Sequence, residues 1–184
     1  MLNFKRHFEM HFQAESIVLY EEANGRYYRK KWQDIYNVGA IKRIHYNTTY
    51  VKNYLIIDID NDNIFKYKEN NLPEPNFILK NKFKQGGHLF YVLEKPIFSN
   101  NQKELDKWRI LQKEYTRIAG GDPLNKGYVG KFFNNTEDFD YIKGYDYYHN
   151  VDFLLNKIQF KTANNQAYNR KINYYEPKKQ EKNN

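Results

Sequence analysis

Asp58 and Asp60 are the residues of this chain best placed to do chemistry. They end the apolar, β-branched run Tyr54-Leu55-Ile56-Ile57-Asp58-Ile59-Asp60, which reads as a buried strand. Side chains at i and i+2 of a strand share one face, so the two carboxylates stand side by side. Left bare they repel each other, and a divalent cation between them removes the conflict. A two-metal site uses this geometry: the ions bind phosphate oxygens, and one activates an attacking hydroxyl. The competing reading is a strand that simply ends in water with two aspartates. A third reading is a calcium loop, because Asp58, Asp60, Asp62 and Glu69 fall at positions one, three, five and twelve of an EF-hand pattern. Against it, Asn63 stands where the sharp turn requires glycine, Lys66 is a poor neighbour for a cation, and the preceding segment reads as strand rather than helix.

A second strand is predicted at Gly87-His88-Leu89-Phe90-Tyr91-Val92-Leu93, opened by Gly86-Gly87-His88 and ended by Pro96. The glycines let a phosphate or a neighbouring backbone approach closely. His88 can donate to a triphosphate oxygen, or can be satisfied inside the sheet by a carbonyl. If the two strands are neighbours, its imidazole and the carboxylates face one site. A third carboxylate is best supplied by Asp122, just past a helix stop in Gly120-Gly121-Asp122-Pro123, although an aspartate before proline is also an ordinary turn residue. Asp138, Asp140 and Asp152 are poorer candidates, with no clear relation to the sheet. Lys126 and Lys131 follow closely enough to reach phosphates, or are surface charges.

The elements that must position these residues are unevenly legible. Residues 101–119 form a predicted helix: Leu105, Trp108, Leu111, Tyr115 and Ile118 recur at helical spacing, Asn101 with Glu104 resembles a cap, and Gly120-Gly121 is a stop. Ile17-Val18-Leu19 suits helix or strand. Residues 27–32 alternate aromatic and basic side chains, as a nucleic-acid contact or an exposed edge does. Residues 72–76 are an irregular proline-rich connection. Residues 127–133 suggest a strand bent by glycine, and 150–160 a last helix or strand. Strands separated by helices indicate an α/β or α+β sheet.

The 184 residues make one domain, or two small lobes on one core. Cysteine is absent, which excludes a disulfide framework, a thiolate zinc site and a cysteine nucleophile. No apolar run approaches the roughly 20 residues that span a bilayer, and no signal peptide is legible at the N-terminus. A soluble, cytoplasmic protein without membrane contact is expected. The formal charge of +8 favours polyanions, and 18 Tyr with 13 Phe suit stacking on unpaired bases. Lysines kept for solubility and aromatics used as filler are the plainer explanation. Residues 1–176 are expected to be one catalytic domain, with an N-terminal portion at 1–50 and a catalytic sheet at 51–176. Residues 177–184 are expected to be a disordered polar tail, or the start of a link to a further domain.

The order of these motifs resembles the archaeo-eukaryotic primase (AEP) superfamily, whose three motifs are an apolar strand ending Asp-x-Asp or Asp-x-Glu, a small-x-His, and a small or apolar residue before Asp. Here they read Leu55 to Asp60, Gly86-Gly87-His88 and Gly121-Asp122. The connections resemble the plasmid replicase (Rep primase) branch: His45-Tyr46-Asn47, Pro73-Glu74-Pro75-Asn76, Asn81, the strand from Gly87 to Leu93, Pro96, and Gly130-Lys131. The chain departs from that branch at Phe132-Phe133, where Asn-Pro is frequent, and at Asn61, where an arginine often stands. An origin-binding region usually follows the catalytic domain in that branch, and a full one is not expected within these 184 residues.

The resemblance implies an RRM-like β-sheet flanked by helices, with a smaller N-terminal α/β portion. It implies that Asp58, Asp60 and Asp122 are catalytic and hold two Mg²⁺ or Mn²⁺ ions, and that His88, with Gly87 and Lys131, binds the nucleotide. The expected activity is primer synthesis or extension from NTP or dNTP on a DNA template, for a plasmid, phage or other mobile element, with a replicative helicase as a conceivable partner. The alternative is a non-catalytic module that binds single-stranded nucleic acid.

Overall fold

The structure is a computed structural model, and it describes residues 17–21, 26–30, 43–60, 62–131 and 138–162. Trp32, Asn61, Phe132-Phe133 and the polar tail at 177–184 lie outside the described residues. In chain order the elements are β1 (Ile17–Glu21), β2 (Arg26–Lys30), β3 (Arg43–His45), β4 (Val51–Asp60), α1 (Lys66–Glu69), β5 (Phe77–Asn81), β6 (Gly86–Phe98), α2 (Gln102–Ala119), β7 (Val129–Lys131), β8 (Phe139–Lys143) and α3 (Val151–Thr162). They build two four-stranded sheets, ordered β2-β1-β3-β7 and β4-β6-β5-β8, and the strand pairs within them are antiparallel. This is the mixed α+β architecture expected. The apolar cluster at 17–19 is strand, residues 151–162 are helix, and β7 joins the first sheet rather than the one carrying the acidic strand. No helix among the described residues is long and apolar enough to cross a membrane.

The unbroken apolar run of β4 follows from cover on both of its faces. Leu55, Ile57 and Ile59, with Leu89 and Tyr91 of β6 and Ile78 of β5, pack against Leu105, Trp108, Leu111 and Tyr115 of α2 and Leu154 and Ile158 of α3. Burying each such Leu or Ile contributes about 1.5–3 kcal/mol. On the other face Tyr54, Ile56, Phe77 and Phe90 are equally buried. There the Tyr46 ring meets Phe90 at 4.8 Å and Tyr54 at 5.5 Å, and Phe77 stacks on Phe90 at 4.2 Å. At the C-terminal end of β4 this second face turns polar, with Asp58 and Asp60.

β4 is an edge strand, and its outward backbone groups are satisfied by side chains. Trp108 Nε1 donates to the Tyr54 carbonyl at 2.9 Å. Gln112 Nε2 donates to the Ile56 carbonyl at 2.7 Å, while its Oε1 accepts from Ile56 N at 3.3 Å. The helix is fixed as its sequence indicates: Asn101 accepts from Glu104 N, and Gly120 closes the end at φ 75°.

Pro96 does not end β6, contrary to expectation. The ladder steps from Tyr54↔Val92 to Lys52↔Ile97, so residues 93–96 stand opposite Asn53 alone. Pro96 falls in this irregularity, where its missing N–H breaks no ladder bond, and the strand resumes to Phe98. The calcium-loop reading also fails on geometry. Asp58 and Asp60 lie in extended strand, Asp62 is held by Lys66 at 2.6 Å, and Glu69 accepts from Asn63 at 2.8 Å.

His149 gives the fold a pH dependence. It is buried between the rings of Tyr91 and Tyr145, both at 5.2 Å, and its Nε2 has no hydrogen-bond partner. Burial pushes its pKa down to about 4, against a hydrogen bond accepted by the Glu74 backbone carbonyl that acts the other way. Below the ordinary value of 6.5 the unfolded chain takes up a proton that the folded one refuses. Stability is therefore full above that pH and is lost by about 3 kcal/mol as pH falls to 4. Urea unfolding of the wild type and His149→Phe across this range should show a smaller loss in the variant; parallel losses would remove His149 as the cause.

Candidate active site

The β4–β6 register sets Asp58 directly opposite His88 and Asp60 opposite Gly86. Cross-strand partners share a face, so the imidazole and both carboxylates lie on one side of the sheet. His88 Nδ1 stands 3.3 Å from Asp58 Oδ1. Side-chain exposure rises from 6% at His88 through 19% at Asp58 to 54% at Asp60, so the row opens from the core towards solvent. Lys84 Nζ, on the turn before β6, comes within 3.6 Å of Asp60 Oδ1.

The bend after α2 closes on the same point. Asp122 N donates to the Asp58 carbonyl at 2.7 Å, continuing the satisfaction of the β4 edge. Gly121 permits this approach: a Cβ there would sit 2.8 Å from both the Asp58 oxygen and Ile57 Cγ2. The Asp122 carboxylate, however, accepts from Leu124 N at 2.8 Å and so occupies its own turn. Asn125 supplies the side-chain contact instead, its Nδ2 reaching Asp58 Oδ2 at 3.3 Å. Asn125 Oδ1 in turn accepts from Gly127 N at 2.7 Å. Sequence reasoning missed Asn125; its place three residues after Asp122 in the glycine-rich bend was the available signal.

The remaining candidates separate. Gly87 has φ 143°, and a Cβ on it would lie 2.1 Å from the Leu79 carbonyl oxygen. The close approach that requires glycine there is made by the backbone of β5. Lys131 stands on β7 in the other sheet, opposite Arg43, with its Nζ 5.8 Å from the Phe139 ring. Asp140 and Asp152 pair with Lys82 at 3.8 Å and Lys107 at 2.8 Å.

Asp58 is thus the point at which β4, β6 and the 121–125 bend meet. Among the described residues no three His, Asp or Glu side chains are gathered as a finished metal cage. The donors themselves suit hard divalent cations: two carboxylates sit on one strand face, and a third hangs on a loop whose backbone is bonded to that strand.

The model of the Replicase family matches residues 17–153. Among solved structures, the AEP domain of the primase-polymerase (PrimPol) of cyanophage S-2L matches with a TM-score of 0.59 and 14% identity, over 83% of this chain and 95% of that one. That likeness is one of fold. Among curated proteins, none matches by sequence.

Proposed function

The chain belongs to the Replicase family, and from that premise we propose that it is a replication primase-polymerase, joining nucleotides from NTP or dNTP to a primer on a DNA template. The observation that carries this reading is the meeting at Asp58 of three segments spread over more than sixty residues of sequence. In this reaction a primer 3′-hydroxyl attacks the α-phosphate; the O3′–P bond forms, the bond to the β-phosphate oxygen breaks, and pyrophosphate leaves.

Asp58, Asp60 and Asp122 would hold Mg²⁺ or Mn²⁺. When bound, such ions supply Lewis acidity to the phosphate and make the hydroxyl a better nucleophile. The chain's own groups do the positioning. Asn125 holds one oxygen of Asp58, and His88 Nδ1 stands 3.3 Å from the other. Asp60, the most exposed of the row, marks the side on which a triphosphate enters. His88, steadied by Asp58, is the group to contact that triphosphate.

A second reading, a binding module without catalysis, draws on the engagement of Asp122 with its own turn. Purified protein, Mn²⁺ or Mg²⁺, a primed single-stranded template and labelled NTP or dNTP decide between them. Template-dependent lengthening of the primer is expected. Binding without product under every one of these conditions would leave the module as the answer.

A further inference from the structure

A cleft of 760 Å³ runs along α2 beside the 121–126 bend. Its rim carries Arg109, Lys113, Arg117 and Lys126, and no Asp or Glu lines it. The three cations of α2 follow one another at four-residue steps, so they share one helix face and advance about 6 Å each. Arg109 and Arg117 are steered by Asp106 and Glu114, both at 2.9 Å, but a guanidinium has further donors to offer. Lys113 and Lys126 are exposed and meet no carboxylate among the described residues. The floor is apolar, formed by Trp108, Tyr128 and Pro123. Lys52 lies under it, its Nζ 4.4 Å from the Tyr128 ring and 5.5 Å from Trp108.

We propose that this cleft holds the sugar-phosphate backbone of one strand of the nucleic-acid substrate. The inference rests on the primase-polymerase reading and adds where the strand runs. A row of evenly spaced cations over an apolar floor matches a repeating anion that carries sugars and bases between its charges. The cleft also shares a wall with the acidic row. Gly121 lines it while lying against the Asp58 carbonyl, and Asn125 lines it while bonding Asp58 Oδ2. A strand seated on α2 is thereby delivered to the reacting end of β4.

The test is the salt dependence of binding to a labelled single-stranded oligonucleotide, followed by fluorescence anisotropy without divalent ions. Each lost phosphate contact lowers the slope of log K against log salt by about 0.7. Lys113→Ala/Lys126→Ala should therefore lower it by about 1.4. The charge-matched pair Lys95→Ala/Lys157→Ala, exposed lysines outside the cleft, should leave the slope unchanged. An unaltered slope in the first variant, or an equal drop in the second, overturns the proposal. Cleft-dependent binding by a protein that never extends a primer would sink the polymerase reading and keep the cleft. Normal extension with an unaltered slope would do the reverse.

Discussion

Asp58→Asn is expected to lower template-directed nucleotide incorporation by on the order of 10³-fold, the scale seen when a fixed electrostatic group is removed from a reacting centre. The substitution keeps shape and takes away charge. An asparagine oxygen can still face His88 Nδ1, at the expense of the Asn125 contact, and the Asp122 N bond to the backbone carbonyl at 58 does not involve the side chain. The β4–β6 register, anchored by buried Leu55, Ile56 and Ile57 against Tyr91, Phe90 and Leu89, is untouched. Folding should therefore survive, with a melting temperature within a few degrees of the wild type, and single-strand binding should persist. Primer-extension rates measured beside circular-dichroism melts give both halves of the result. Activity within tenfold of the wild type would show that the charge at 58 is not used in the reaction.

Asn47→Ala is expected to cost about 4 kcal/mol of folding stability, a large effect for one side chain. Asn47 is fully buried and uses all of its hydrogen-bonding capacity. Its Nδ2 donates to the Tyr54 carbonyl at 2.9 Å and the Gly127 carbonyl at 2.6 Å. Its Oδ1 accepts from Asn53 N at 2.8 Å and Tyr54 N at 3.1 Å. Alanine leaves Asn53 N, Tyr54 N and the Gly127 carbonyl without this partner and the Tyr54 carbonyl with Trp108 alone, and at the Gly127 end it unfastens the bend that brings Asn125 to Asp58. Loss of activity should accompany loss of stability, which separates this variant from Asp58→Asn. A shift of less than 1 kcal/mol in urea unfolding would mean that neighbouring groups replace the asparagine, and that the bend is held by other means.

The parts of the fold legible in the sequence are those whose signal is local. α2 carries apolar residues at helical spacing between a side-chain cap and a left-handed glycine, and the structure places it at Gln102–Ala119. β4 and β6 declare themselves by unbroken apolar runs, because both of their faces are covered. What the sequence hides depends on distant partners. Pro96 reads as a strand end, and only the bulge opposite Asn53 shows why the strand continues. β7 gives no hint that it pairs with β3 rather than with the acidic strand's sheet. α1 is a single turn of helix, too short to show periodicity.

The site divides in the same way. Asp58 and Asp60 share a face by strand alternation, which is readable; that His88 joins them depends on the β4–β6 register, which the sequence leaves open. Asn47 and Gln112 act by bonding backbone groups far along the chain, and Asn125 by bonding the Asp58 side chain; partners so distant leave only a weak local signal. Gly87 shows the opposite hazard. A glycine beside a candidate ligand invites a functional reading, whereas the Leu79 carbonyl is the neighbour that demands it.

The central claim is that Asp58, Asp60 and Asp122 act together on a nucleotide's phosphates. Its most direct measurement is a crystal structure with Mn²⁺ and a non-hydrolysable triphosphate, with manganese located by anomalous scattering. Manganese among the three carboxylates, Asp122 turned from Leu124 N, and the triphosphate against His88 are expected. Manganese elsewhere, with Asp122 still closed on its own turn beside a bound triphosphate, would contradict it.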